Sequence, residues 1–230
     1  MNFKEKVNYW ANKISNMKYL MIIRDSFAAI MPIMIVAAMF VFINNVLLKT
    51  GDGGLLSFFD LSEGTISIID KIAEIGNNIS RATINITTLF ITAAIPYNLA
   101  KYKKEKDLIT PIIIGMVSVF LFFPGTFDVI SGDMKITTGA FIDKNYLGAA
   151  GLFTAVVVTI PAVNFFLKLK SFDKLRIKMP DSVPPAVGNA FSSLLPTAIT
   201  LVVVSIIAVT INLITGTYLQ DIILKIIQIH

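Results

Sequence analysis

The sequence predicts an all-α integral membrane protein of about five transmembrane helices, with an N-terminal amphipathic helix and a cytoplasmic N-terminus. Three observations carry this expectation. Of the 230 residues, 55% are hydrophobic and 15% charged, against roughly 25% charged in soluble domains. Five stretches contain no Asp, Glu, Lys, Arg or His: 26–48, 82–100, 108–127, 145–167 and 182–220. A bilayer core takes about 20 apolar residues as helix, so four stretches fit one span each and the last fits one span plus flanks. Finally, fourteen of the 20 basic residues fall before the first stretch, between the second and third, or between the fourth and fifth. By the positive-inside rule those segments face the cytoplasm. Five crossings then put the C-terminus outside.

The absence of cysteine excludes a disulfide framework and any cysteine-based metal or redox site. The first apolar stretch starts too deep in the chain, and is too long, for a removable signal peptide; it also lacks a small-residue cleavage pattern.

Taken in order, residues 3–17 place Phe3, Val7, Trp10, Ile14 and Met17 at helical spacing, with Lys4, Lys6 and Lys13 between them. That pattern fits an interfacial helix, Trp10 at headgroup depth and the lysines towards anionic lipid. The first span, near 20–48, has Arg24 and Asp25 at its cytoplasmic mouth, where arginine can snorkel, and a kink at Pro32. An acidic outer segment follows, carrying Asp52, Asp60, Glu63, Asp70 and Glu74. Its spacing matches no calcium loop. Gly51, Gly53 and Gly54 mark a turn, and Ile66, Ile69, Ile72, Ala73 and Ile75 predict a helix feeding the second span.

That second span, near 82–100, is polar for a membrane helix: Thr83, Asn85, Thr87, Thr88, Thr92 and Asn98 interrupt it, with Pro96 near its inner end. Such side chains either bond neighbouring helices or line a polar interior. A charged hairpin leads to the third span, near 108–124, which Pro111 begins and Pro124-Gly125 ends. The fourth, near 146–168, opens on Gly148-Ala149-Ala150-Gly151, small enough for close helix approach, and Pro161 interrupts it. After a basic segment comes Lys178-Met179-Pro180-Asp181-Ser182-Val183-Pro184-Pro185-Ala186-Val187. Its prolines exclude a helix interior, and Asp181 or Ser182 can cap a helix whose first turn holds Pro184 and Pro185. That helix is the fifth span, near 190–216, and residues 218–230 read as a further amphipathic segment.

Side-chain chemistry yields no catalytic set, metal site or cofactor site. His230 is the only histidine, and neither an HExxH pair nor a phosphate-binding glycine loop is present. No GxSxG elbow occurs, and the basic clusters lack the interleaved aromatics of a nucleic-acid surface.

Five stretches carry a resemblance. Ile22-Ile23-Arg24-Asp25-Ser26-Phe27-Ala28-Ala29-Ile30-Met31-Pro32 is similar to the first span of EIIC sugar permeases of the bacterial phosphotransferase system, in the lactose/cellobiose/chitobiose family. Ala93-Ala94-Ile95-Pro96-Tyr97-Asn98-Leu99-Ala100, with Asp107-Leu108-Ile109-Thr110-Pro111, resembles its second inner-loop region. Gly148-Ala149-Ala150-Gly151-Leu152-Phe153-Thr154-Ala155 and the long proline motif from Ile177 to Val187 complete the set, in the family's order.

The resemblance implies that residues 1–230 form an N-terminal interface domain mediating homodimerisation in the bacterial plasma membrane. A separate C-terminal domain would hold the disaccharide, and IIB and IIA partners would carry the phosphoryl group. The family's Gly-Ile-His-Gly-type element and later glutamate have no counterpart here, so the sugar site is expected beyond residue 230. The chain is therefore read as the N-terminal half of a permease, from a truncated or split gene or a partial sequence, and not competent for transport alone. Lys178, Asp181, Ser182, Pro184 and Pro185 form the candidate loop facing IIB. Two alternatives are a membrane assembly module pairing with a separate C-terminal half, and a vitamin-binding importer subunit, which would need a sixth span.

Overall fold

The computed structural model describes residues 17–124, 126–131, 134–139, 144–177, 180 and 184–228. The expected N-terminal amphipathic helix lies outside them. Eight helices are described: α1 (Lys18–Phe42), prolonged by a π-helical turn (Ile43–Leu47), α2 (Glu63–Arg81), α3 (Thr87–Tyr102), α4 (Ile109–Phe120), a one-turn α5 (Lys144–Leu147), α6 (Leu152–Lys170), α7 (Pro185–Thr215) and α8 (Leu219–Gln228). The membrane part is all helix, as expected. Beyond it, the segment after α4 folds into an antiparallel hairpin of β1 (Thr126–Ser131) and β2 (Met134–Gly139), paired from Thr126↔Gly139 to Ser131↔Met134. The all-α expectation from the sequence included no strand here.

Three helical segments are long and apolar enough to cross a bilayer unaided: Lys18–Leu47, Ala149–Lys170 and Val187–Thr215. The second and third expected spans appear as α3 and α4, of 16 and 12 residues. At 1.5 Å per residue they are about 24 and 18 Å long, short of the roughly 30 Å hydrocarbon layer. Both are inner helices, enclosed on several sides, so much of their backbone never meets lipid.

The packing register shows how the first helices run. At one end Asn98 Nδ2 donates to Ser26 Oγ (3.0 Å). Further along, Thr87 Oγ1 lies 3.7 Å from Met34 Sδ. Beyond that, Asn44 Nδ2 donates to the Ala73 carbonyl (2.7 Å) and to Asn77 Oδ1 (3.0 Å). As α1 advances, its partners regress from α3 into α2, so α1 lies antiparallel to α3 and then to α2. Gly76 makes the last contact possible, because a Cβ there would stand 2.6 Å from the Asn44 amide.

Packing around α3 and α6 builds the core. Ile91, Ile95, Leu99, Ile114, Val163 and Phe166 form one buried cluster with Ile22 and Ile30 of α1. Val119, Phe122, Phe123, Val158 and Val204 belong to a second. α4 packs against α3 at a proline notch. Pro96 has no amide to offer the Thr92 carbonyl, and Gly115 of α4 sits against both; any Cβ there would collide with the Pro96 ring. The peripheral helices show the opposite pattern: Met31, Ile35 and Met39 of α1, and Val202, Ile206 and Leu213 of α7, are exposed. Lipid tails are as apolar as these side chains, so such exposure carries no penalty in a bilayer.

The start of α7 differs in detail from expectation. The helix begins at Pro185, with Pro184 at the N-cap position in extended geometry (φ −53°, ψ 138°) and no side-chain cap. Neither Asp181 nor Ser182 therefore occupies the capping position, and Pro184 is not in the first turn. The cause is local: a residue preceding proline is driven out of the α region, so Pro184 cannot be helical before Pro185. Pro185 itself is pre-organised for the first helical position. At the other end Gly216 stops the helix in left-handed geometry (φ 66°), its amide bonding the Asn212 carbonyl at 2.8 Å.

Candidate functional site

The three basic segments singled out by charge converge on one end of the bundle. Lys18, at the start of α1, places Nζ 5.0 Å from the centre of the Tyr102 ring, at the end of α3. Lys170, at the end of α6, pairs with Glu105 (3.1 Å) and Asp107 (3.3 Å) in the α3–α4 loop. α7 starts beside the turn Asp173–Leu175. At the opposite end Thr88 Oγ1 donates to the Gly148 carbonyl (2.7 Å), and Tyr146 reaches Asp221 of α8 (3.4 Å). α1, α3, α4, α6 and α7 thus alternate in direction between the same two ends.

Of the candidate loop residues, Lys178, Asp181 and Ser182 lie outside the described residues. Pro184 is exposed, and Pro185 is the first residue of α7. The flanking segment is held to α6: Arg176 Nε donates to the Lys170 carbonyl (3.1 Å), and its Nη1 lies 3.7 Å from Asp173. The loop therefore leaves the basic end next to the Lys170 cluster.

That cluster is the best-defined polar assembly at this end. Asp107 accepts from the Ile109 and Thr110 amides, both at 3.1 Å, and from Thr110 Oγ1 at 2.6 Å, which satisfies donors at the start of α4 that have no intrahelical partner. Burial pushes the Asp107 carboxyl up, but the Thr110 hydrogen bonds and the Lys170 charge outweigh it and hold it below the usual carboxylate range. The Lys170 side chain is 11% exposed, and Glu105 and Asp107 are 25% and 24% exposed. One ammonium thus joins the C-terminus of α6 to the start of α4.

Sequence reading missed this cluster, because its members are more than 60 residues apart and nothing local pairs them. Asp107 alone carried a local signal, an acidic side chain just ahead of Thr110-Pro111 at a helix start.

The polar residues of α3 serve packing. Thr88 bonds Gly148, Asn98 bonds Ser26, Thr87 bonds the Ile84 carbonyl (2.8 Å) and Thr92 bonds the Leu89 carbonyl (2.8 Å). The small-residue run before α6 is what admits Thr88, since a Cβ on Gly151 would collide with the Tyr146 carbonyl and stand 2.5 Å from Thr88 Oγ1. Among the described residues, Ser118, Thr154 and Ser193, on α4, α6 and α7, are buried hydroxyls without a hydrogen-bond partner. Two hollows mark the exterior: a groove of about 490 Å³ along Glu63, Asp70, Lys71 and Glu74 of α2, and an apolar one of about 510 Å³ along Ile35, Met39, Phe42 and Leu47. Each is lined by one continuous helical segment, which does not make the enclosed chamber a sugar site needs.

Comparison with known proteins matches residues 24–229 to the family described as "Phosphotransferase system, EIIC". The oligo-beta-mannoside-specific EIIC component of Bacillus subtilis is 30% identical over 220 residues, covering 95% of this chain and 46% of that protein. The cellobiose-specific EIIC component of Geobacillus stearothermophilus is 27% identical over 206 residues, covering 87% of this chain and 43% of its own length. Among solved structures, the transporter ChbC, the IIC component of an N,N'-diacetylchitobiose-specific phosphotransferase system, superposes with a TM-score of 0.80 at 27% identity. It covers 99% of this chain and 51% of that one. The chain spans about half the length of the relatives it matches.

Proposed function

The chain belongs to the phosphotransferase-system EIIC family, and from that premise we propose that it is the N-terminal membrane half of a disaccharide permease. The substrate class is that of the cellobiose, lactose and chitobiose systems, and uptake is coupled to phosphorylation by IIB and IIA partners in the bacterial plasma membrane. One observation carries this reading: the fold agrees over 99% of this chain with only 51% of a chitobiose IIC component.

In this proposal residues 1–230 are the interface domain that brings two copies together, and the sugar is held by a part of the permease outside them. The end bearing Lys18, Lys101 and Lys170 faces the cytoplasm, and the loop with Lys178, Asp181, Ser182, Pro184 and Pro185 meets IIB there. Phosphoryl transfer is left to the partners in this proposal. The exposed apolar faces of α1 and α7 support a second reading, an assembly module that recruits a separate C-terminal half.

Sugar titration of the purified chain in detergent tests the first reading. No heat of binding is expected with cellobiose, lactose or N,N'-diacetylchitobiose, and micromolar affinity for any of them would overturn it. Co-expression with the C-terminal half of a related EIIC separates the readings: restored uptake supports the assembly module. Orientation is tested by cysteine labelling at residues 104 and 225, where only the first should be shielded from an impermeant reagent in intact cells.

A further inference from the structure

We propose that the end of the bundle where α1 begins and α3 ends carries a binding site for an anionic phospholipid headgroup, formed by Lys18 and Lys103 beside Tyr19 and Tyr102 and flanked on α3 by Lys101 over Tyr97. The first turn of α1 and the last turn of α3 meet here through Lys18 and Tyr102. Lys18 Nζ lies 5.0 Å from the centre of the Tyr102 ring and 5.5 Å from that of Tyr19. Lys101 Nζ lies 5.9 Å from the Tyr97 ring centre. An ammonium over an aromatic face is held by the ring quadrupole, which fixes cations at the depth where amphipathic rings sit, the membrane–water boundary.

Among the described residues these charges are left unneutralised. The nearby carboxylates are committed elsewhere: Glu105 and Asp107 to Lys170, and Asp25 to Arg24 at 2.8 Å. Among the described residues no ion pair reaches Lys18, Lys101 or Lys103. Burial, and then the Lys18 charge, pull the Lys103 ammonium below its usual range. An anion bridging Lys18 and Lys103 relieves that repulsion, so the cluster gains from a phosphate.

The surroundings select a lipid as its source. Met17 and Leu20 are exposed beside Lys18 (56% and 40%), and the three tyrosine rings are also exposed, so apolar surface for acyl chains adjoins the cations. Basic residues clustered at this boundary are the chemistry that attracts acidic headgroups.

The test is native mass spectrometry of the purified chain, titrated with phosphatidylglycerol, phosphatidylcholine or inorganic phosphate. Phosphatidylglycerol should be retained at least tenfold better than phosphatidylcholine. Each lysine near the surface is worth about fivefold in binding, so K18Q and K101Q should each lose about fivefold and the triple K18Q/K101Q/K103Q about a hundredfold. K225Q, at the opposite end, should change nothing. The single variants keep the test readable if the triple one fails to fold. Equal retention of both lipids, unchanged binding by the single variants, or an equal loss in K225Q would overturn the proposal. Displacement of the lipid by millimolar inorganic phosphate would reassign the site to a free anion and overturn the lipid assignment.

Discussion

Replacing Lys170 with methionine removes the one ammonium that joins the end of α6 to the α3–α4 loop, and its cost can be bounded from the geometry. A fully buried pair broken on one side costs about 3–5 kcal/mol, whereas an exposed pair contributes about 0–1 kcal/mol. Lys170 is close to the buried limit at 11% exposed, but Glu105 and Asp107 keep about a quarter of their side chains in contact with solvent. Asp107 also retains its bonds from Ile109 and Thr110 after the substitution. Glu105 retains only the adjacent Lys106 and Asp107 amides. An intermediate cost of about 2 kcal/mol follows. The assay is reversible unfolding in mixed micelles, with a cycle over K170M, E105Q/D107N and the combined variant. Coupling of at least about 1 kcal/mol is expected, because the combined variant leaves no uncompensated charge. A K170M protein within about 0.5 kcal/mol of the parent, or coupling near zero, would refute the claim that the two segments are joined through this ammonium.

Acid should expose the same cluster. The folded carboxyl of Asp107 lies below its ordinary value, so its stabilisation is complete above an unfolded pKa of about 3.9 and is lost as pH falls through the folded one. Denaturation midpoints from pH 5 to pH 3 should fall less steeply in D107N than in the parent. G115A should cost about 1–3 kcal/mol, since the added methyl meets the Pro96 ring and the Thr92 carbonyl together; thermal unfolding of G115A alongside G188A, where an added methyl meets nothing within 4 Å, separates this clash from a general helix effect. N44A removes two hydrogen bonds to α2 and should cost about 1–2 kcal/mol, with faster amide exchange in α2 than in α6 as the readout.

Much of this architecture was legible because membrane burial leaves long uninterrupted signals. Uncharged stretches located α1, α6 and α7, and the lysine asymmetry foretold which loops share an end. Helix lengths were less legible: the uncharged stretch around α3 runs on through the 3-10 turn Ile84–Ile86, where composition registers no break. The β hairpin was missed because its residues follow a proline-glycine pair and had no second strand expected nearby. At the start of α7 the rule that governs residues before proline was already decisive at Pro184, yet the polar Asp181 and Ser182 offered a more familiar cap. The Lys170 cluster and the Lys18–Tyr102 contact join segments remote in sequence, and a single sequence read by itself encodes no pairing of such residues.

The two asparagine clamps on α1 make the bundle a gauge of membrane thickness. Ser26, bonded to Asn98, and Asn44, bonded to Ala73 and Asn77, are separated by 18 residues, or about 27 Å of helix. Only apolar α1 residues lie between them, so a hydrocarbon layer near that thickness puts both polar contacts at its boundaries. α7, with 31 residues, is about 46 Å long and must tilt or protrude in the same layer. Thickening the bilayer would draw the clamps into hydrocarbon while relieving the mismatch of α7. Lipid chain length therefore sets the two long peripheral helices against each other, and the angle between them is where that tension would appear.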